Sequence, residues 1–171
     1  GIRELPVAAF LLWTVGLTLA ALAVSLAFRP LEERIWLRAR ENTLEEEGLV
    51  DALLPRTGEE RRLFAGLSLA AGWGEEMAYR GYVPAVLVLA GVTPWGAMAV
   101  GAGAFGVLHA YQGPVGVVRT GLLGMLFGVP VILTGSLFPS MVSHALVDLV
   151  LGLVIGPRLL DREREDQPDP A

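Results

Sequence analysis

Long uncharged apolar runs, separated by short turn-forming breaks, occupy most of the chain. The first, Val7 to Phe28, holds 22 residues with neither charge nor proline. At about 1.5 Å per residue it reaches about 33 Å, enough to cross a hydrocarbon core of about 30 Å, and it predicts a transmembrane helix. Ser25-Leu26-Ala27 has the small residues of a signal-peptidase site, but the run exceeds the roughly 7–15 residues of a signal h-region. Arg29 to Arg62 is mixed in charge, with Leu31 and Ile35 at helical spacing; it predicts an amphipathic interfacial helix and then a linker. The run Glu45-Glu46-Glu47 reads as a solvated face and Pro55-Arg56-Thr57-Gly58 as a turn.

Four further apolar stretches follow: Leu63 to about Ala90, Pro94 to Ala110, Val115 to Leu133 and Leu137 to Ile155. The breaks Gly91-Val92-Thr93-Pro94, Tyr111-Gln112-Gly113-Pro114 and Thr134-Gly135 are turn-forming. The pattern predicts an all-α, polytopic membrane bundle of about five transmembrane helices plus one amphipathic interfacial helix. Leu63 to Ala90 is about 42 Å if straight, too long for one untilted span, so a kink is expected near Gly81 to Pro84. Gly101, Gly103, Gly106, Gly121, Gly124 and Gly128 read as packing glycines that let helices approach. Three regions are expected: 1–58, the first span and amphipathic segment; 59–157, the core; and 158–171, a polar tail without fixed structure.

Composition agrees with a membrane protein. Of 171 residues 53% are apolar and only 18% charged, against roughly 25% in soluble domains. Thirteen basic against 18 acidic residues remove the basic footprint that a nucleic-acid partner requires. With no cysteine there is no disulfide, thiolate metal site or Cys nucleophile, so any metal must be held by His, Asp or Glu. The chain has no lysine, and its arginines cluster in Arg29–Arg62 and after the last span. By the positive-inside rule both segments are cytoplasmic, in what is expected to be a bacterial or archaeal cell membrane.

Between Leu63 and Pro157 the only charged residues are Glu75, Glu76, Arg80, Arg119 and Asp148, and both histidines, His109 and His144, lie in the same stretch. On insertion scales each Asp or Arg at a helix centre costs about 2.5–3.5 kcal/mol, so each needs a partner or a task. Glu76 and Arg80 stand at i, i+4 with the acid first, the favourable order for an ion pair. Glu75 is turned about 100° away and has no such partner; an unpaired carboxylate in low dielectric suits a general base. Phe105 precedes His109 by one turn, and His144 precedes Asp148 by one turn on a shared face able to hold a water, a metal or an oxyanion. Arg119 has no task beyond anchoring a cytoplasmic end.

The ordered set Glu75-Glu76-x-x-x-Arg80, Phe105-x-x-x-His109 and His144-x-x-x-Asp148 resembles the CPBP family of intramembrane proteases, which includes CAAX prenyl endopeptidases and bacteriocin-processing or immunity proteins. The resemblance covers about Glu59 to Ile155. It implies an endopeptidase in which Glu75 activates a water, His109 helps to position it, and His144 and Asp148 stabilise the tetrahedral intermediate or complete a metal site. Glu76, Arg80 and Phe105 would support the site. Two routes stay open under it: a metal-free glutamate, or zinc held by His109, His144, Asp148 and Glu75. Tyr79 stands where Phe is common, and Asp148 where Asn is frequent; an ionised carboxylate repels an oxyanion but is the better metal ligand. The implied partners are the lipid bilayer and a peptide or protein substrate, lipidated or not.

Competing chemistries fit less of the sequence. No His-Glu-x-x-His is present. Gly66-Leu67-Ser68-Leu69 is faintly similar to the serine motif of rhomboid proteases, but leaves the acidic cluster without a task. A non-catalytic immunity or scaffolding protein would keep the polar cluster for folding. A proton-coupled transporter is weaker, because five spans show no evident inverted repeat.

Overall fold

The computed structural model describes residues 3–40 and 54–157. The expected solvated face at Glu45–Glu47 and the polar tail 158–171 lie outside the described residues.

The described residues are helical, with no strands, and form five rods. These are α1 (Val7–Arg40); α2 (Gly58–Glu76), continued by a π-helical turn (Met77–Tyr82) into α3 (Val83–Leu89); α4 (Pro94–Leu108) with a 3-10 turn (Ala110–Gln112); α5 (Gly113–Thr134); and α6 (Phe138–Val150), ending in a second π turn (Leu151–Ile155). The protein is an all-α membrane bundle. Val7–Glu32, Ala110–Thr134 and Phe138–Ile155 are each long and apolar enough to cross a membrane, whereas α4 is a shorter apolar helix.

Local chemistry sets the helix ends. Thr57 caps α2 reciprocally: its hydroxyl accepts from the N–H of Glu60, whose carboxylate accepts from the N–H groups of Thr57 and Arg56. Those backbone donors hold the Glu60 carboxyl below its ordinary range. Thr93 caps α4 in front of Pro94, while α5 and α6 carry Pro114 and Pro139 in their first turns, where a missing N–H costs nothing. Gly135 ends α5 at φ 75°, a left-handed conformation that favours glycine.

Two expectations are refined. The charged stretch beginning at Leu31 is helical but prolongs α1 through Pro30 without a break, and Leu31 and Ile35 remain exposed. The departure expected near Gly81 to Pro84 is a widened π turn beginning earlier, at Met77. Pro84 supplies no N–H to the carbonyl of Arg80 in an α ladder, so the rod relaxes the i→i−4 pattern upstream of the proline.

The rods alternate in direction. The N–H of Arg3 donates to the carbonyl of Gly135, placing the start of α1 beside the α5–α6 turn. At the other end Arg119 of α5 reaches Glu32 of α1, and Arg61 of α2 donates to the carbonyl of Leu153. Helix α6 lies between α1 and α2, and α5 packs on α4 and α1. Ser143 donates to the carbonyl of Thr14, and Ser140 to that of Phe127, next to the Leu126 carbonyl that Pro130 cannot serve.

Small residues permit these contacts. A Cβ on Gly72 would lie 2.8 Å from the carbonyl oxygen of Met141 and 2.9 Å from the Ala145 side chain. Gly106 approaches Val117 and Gly121, Gly124 approaches Ala102, and Gly128 approaches Met98, so these are the packing glycines expected. Gly103 is different, with nothing near its missing side chain. Gly72→Val is therefore expected to force α2 from α6 at about 1–3 kcal/mol, lowering the melting midpoint in detergent by several degrees, while Gly103→Ala leaves it unchanged.

Candidate active site

At its C-terminal end α2 turns Glu76 inward and Glu75 toward the rim. Glu76 and Arg80 are the most enclosed charges described, 0% and 1% exposed. Arg80 Nη1 lies 3.1 Å from Glu76 Oε1, the ion pair expected from their spacing. The guanidinium sits 4.1 Å over the Phe105 ring, and its Nε–H donates to the carbonyl of Gly124 at 3.2 Å. Glu76 Oε2 and both Nη nitrogens of Arg80 have no hydrogen-bond partner among the described residues, so ring and ion-pair contacts carry much of the compensation for desolvation.

The same Glu76 Oε1 accepts a hydrogen bond from His144 Nδ1–H at 2.8 Å. A carboxylate paired with arginine can only accept, which fixes the proton on Nδ1 and turns Nε2 outward. Nε2 lies 3.8 Å from Glu75 Oε2 and 3.7 Å from Asp148 Oδ2. Both carboxylates are partly open, with side chains 35% and 34% exposed. Those distances exceed a hydrogen bond, and three polar atoms so spaced can be joined by a shared oxygen. Glu75 is therefore not closed in apolar surroundings, as expected above, but stands at the edge of the site.

Aromatic rings fix the plane of the histidine. Phe127 stacks on His144 at 5.5 Å and 12°, and Phe105 meets it edge-on at 5.9 Å. Phe105 also contacts Tyr79 at 5.3 Å and His109 at 4.5 Å. His109, at the end of α4, donates Nδ1–H to the carbonyl of Phe105 at 2.8 Å, which leaves its Nε2 free of that bond. One buried phenylalanine thus touches Arg80 and both histidines.

Residues 59–150 match the family described as type II CAAX prenyl endopeptidase, Rce1-like. The chain belongs to that family. Nothing among curated proteins or solved structures matches it. Membership makes the protein a membrane peptidase of the CAAX endopeptidase class.

In this member of the Rce1-like family Glu75, Glu76, Arg80, Phe105, His144 and Asp148 come together through the contacts above. His109 joins them through Phe105. Sequence reasoning missed two residues, Phe127 and Gly124. Phe127 is one apolar residue among many in α5 and carries no signal of its role; Gly124 was read as packing, and its carbonyl proves also to hold Arg80. Ser68 is occupied within its own helix, its hydroxyl donating to the carbonyl of Phe64. For zinc the donor set fits poorly: among the described residues no three His, Asp or Glu side chains are arranged to hold one ion.

Arg80→Met leaves Glu76 buried without its counter-charge and is expected to cost about 3–5 kcal/mol, read by denaturant unfolding in micelles. Adding Glu76→Leu removes the orphaned charge and is expected to recover most of that loss.

Proposed function

We propose that the protein hydrolyses a peptide bond at the membrane with Glu75 as general base. The observation carrying this reading is the disposition of His144: one nitrogen is clamped by a buried, arginine-paired carboxylate, and the other faces two half-open carboxylates. Such an arrangement holds a polar reactant in a fixed orientation at the half-open edge of the site.

Glu75 takes a proton from the water as its oxygen attacks the scissile carbonyl carbon, and returns that proton to the leaving amine as the C–N bond breaks. His109 orients the water by accepting through Nε2. His144, doubly protonated and held by Glu76, donates Nε2–H to the carbonyl oxygen as negative charge develops there. Asp148, facing the same nitrogen, keeps the imidazole in place; an ionised carboxylate does not itself receive an oxyanion. Glu76, Arg80, Phe105 and Phe127 hold the ring that does. These steps run on the protein's own groups.

The substrate we propose is a peptide or protein whose scissile bond lies close to the bilayer, as in a CAAX sequence beside a prenylated cysteine. The ends of α1 and α6 that carry the flanking arginines share one end of the bundle with the start of α2, which supports a cytoplasmic location for 29–62 and the C-terminus. We treat 59–157 as the catalytic unit, preceded by the 1–58 anchor.

The test is cleavage of a fluorogenic CAAX peptide, farnesylated and unmodified, by protein in micelles. Glu75→Gln is expected to lower kcat roughly 10²–10⁴-fold while the protein remains folded. Arg80→Met with Glu76→Leu is expected to be stable and inactive, because His144 loses its clamp. Wild-type rates in Glu75→Gln would refute the mechanism, and equal rates on both peptides would remove the prenyl group from the specificity.

A further inference from the structure

Arg119, the one core charge left without a task by the sequence, is not a simple anchor. Its Nη1–H donates to Glu32 Oε2 at 2.9 Å, on the prolonged part of α1. Its Nη2–H donates to Gln112 Oε1 at 2.7 Å, in the 3-10 turn between α4 and α5. Gln112 takes a second bond on that oxygen from the hydroxyl of buried Thr120, and from its own Nε2–H donates to the Tyr111 hydroxyl at 3.1 Å. The ring of Tyr111 lies 5.6 Å from that of His109. Gln112 folds back across Gly116, where any Cβ would collide with it. The side chain is thus held in a slot cut by a glycine, with both ends of its amide in use.

These contacts form an unbroken sequence from α1 to the turn that carries His109. The pair is well placed to be stiff: the Arg119 and Glu32 side chains are 20% and 26% exposed, less screened than a surface ion pair. His109 ends α4, and the residues after it close the turn by the bond from Gln112 N–H to the His109 carbonyl at 2.9 Å. Moving Gln112 therefore moves both the backbone and the ring next to His109.

We propose that Arg119 is a positioning residue for His109, acting through Gln112 and Tyr111, and that its bond to Glu32 makes the placement of that histidine depend on α1, which lies outside the family-matched residues. The proposal rests on the reading of His109 as the group that orients the attacking water. It gives the first helix a part in catalysis beyond holding the protein in the bilayer.

The test uses full-length protein labelled with ¹⁵N-histidine in micelles, together with the farnesylated peptide assay. The chain has two histidines, so a His144→Gln variant assigns the His109 ring signals. Arg119→Ala and Gln112→Ala are each expected to move the His109 ring signals and leave those of His144 in place. Both should lower kcat roughly 10–100-fold, the effect of misplacing a reacting group by about 1 Å, with KM nearly unchanged. Arg119→Lys, which keeps a cation for one of the two acceptors, should lie between. Unmoved His109 signals, signals of both histidines shifting together, or displaced His109 with wild-type kcat would each overturn the proposal. If Glu75→Gln is inactive and Arg119→Ala behaves as wild type, this inference alone fails; if Glu75→Gln keeps wild-type cleavage, the Glu75 mechanism fails, and with it the reading of His109 as partner to that base on which the inference rests.

Discussion

One oxygen of Glu76 is shared between a guanidinium and an imidazole in a space that solvent does not reach, and the site is arranged around it. Without Arg80 the carboxylate is an uncompensated charge in an apolar bundle; without the carboxylate His144 keeps the rings that set its plane but loses the acceptor that fixes its tautomer. The π-helical turn, the close approach at Gly124 and the rings of Phe105 and Phe127 bring four rods near enough for that oxygen to serve both partners. Glu75, one residue earlier, is carried to the rim by the same helix because a single step turns the side chain by about 100°. Adjacent glutamates thus acquire opposite environments, one sealed within an ion pair and one half-open at the rim.

Contacts along one helix were legible before the fold was seen. The spacing of Glu76 and Arg80, of Phe105 and His109, and of His144 and Asp148 follows from helical periodicity, and each pair meets within its own rod. Contacts between rods were not, because they depend on which face each helix turns to its neighbour. The bond from His144 to Glu76 joins residues 68 apart, and that from Arg119 to Glu32 joins residues 87 apart. Phe127 shows the limit most clearly: nothing separates it from other apolar residues of α5 until the crossing with α6 lays it flat on an imidazole. The apolar runs similarly showed that a bundle forms, but not that the charged stretch after Phe28 would extend the first helix.

The first helix belongs to the same physical unit as the site, although the family match begins at residue 59. Leu17 and Ala21 pack with Phe127 and Val147 in a buried cluster, so the ring that stacks on His144 is backed by α1. The carbonyl of Thr14 holds Ser143, the residue before the histidine. At the other end Glu32 accepts from Arg119, which also donates to Gln112 in the turn that follows His109. Contacts from α1 thus lead toward both histidines at two levels of the bundle, from a helix that contributes no candidate catalytic group.

The bond between His144 and Glu76 is the point on which the account turns, and proton NMR of ¹⁵N-histidine-labelled protein in micelles reads it directly. A strongly downfield imidazole N–H proton on His144 Nδ1 is expected, present in the wild type and in His109→Gln and absent in Arg80→Met with Glu76→Leu, where no acceptor remains at position 76. No such proton in the wild type, or its survival in that double variant, would contradict the shared carboxylate and the site built upon it.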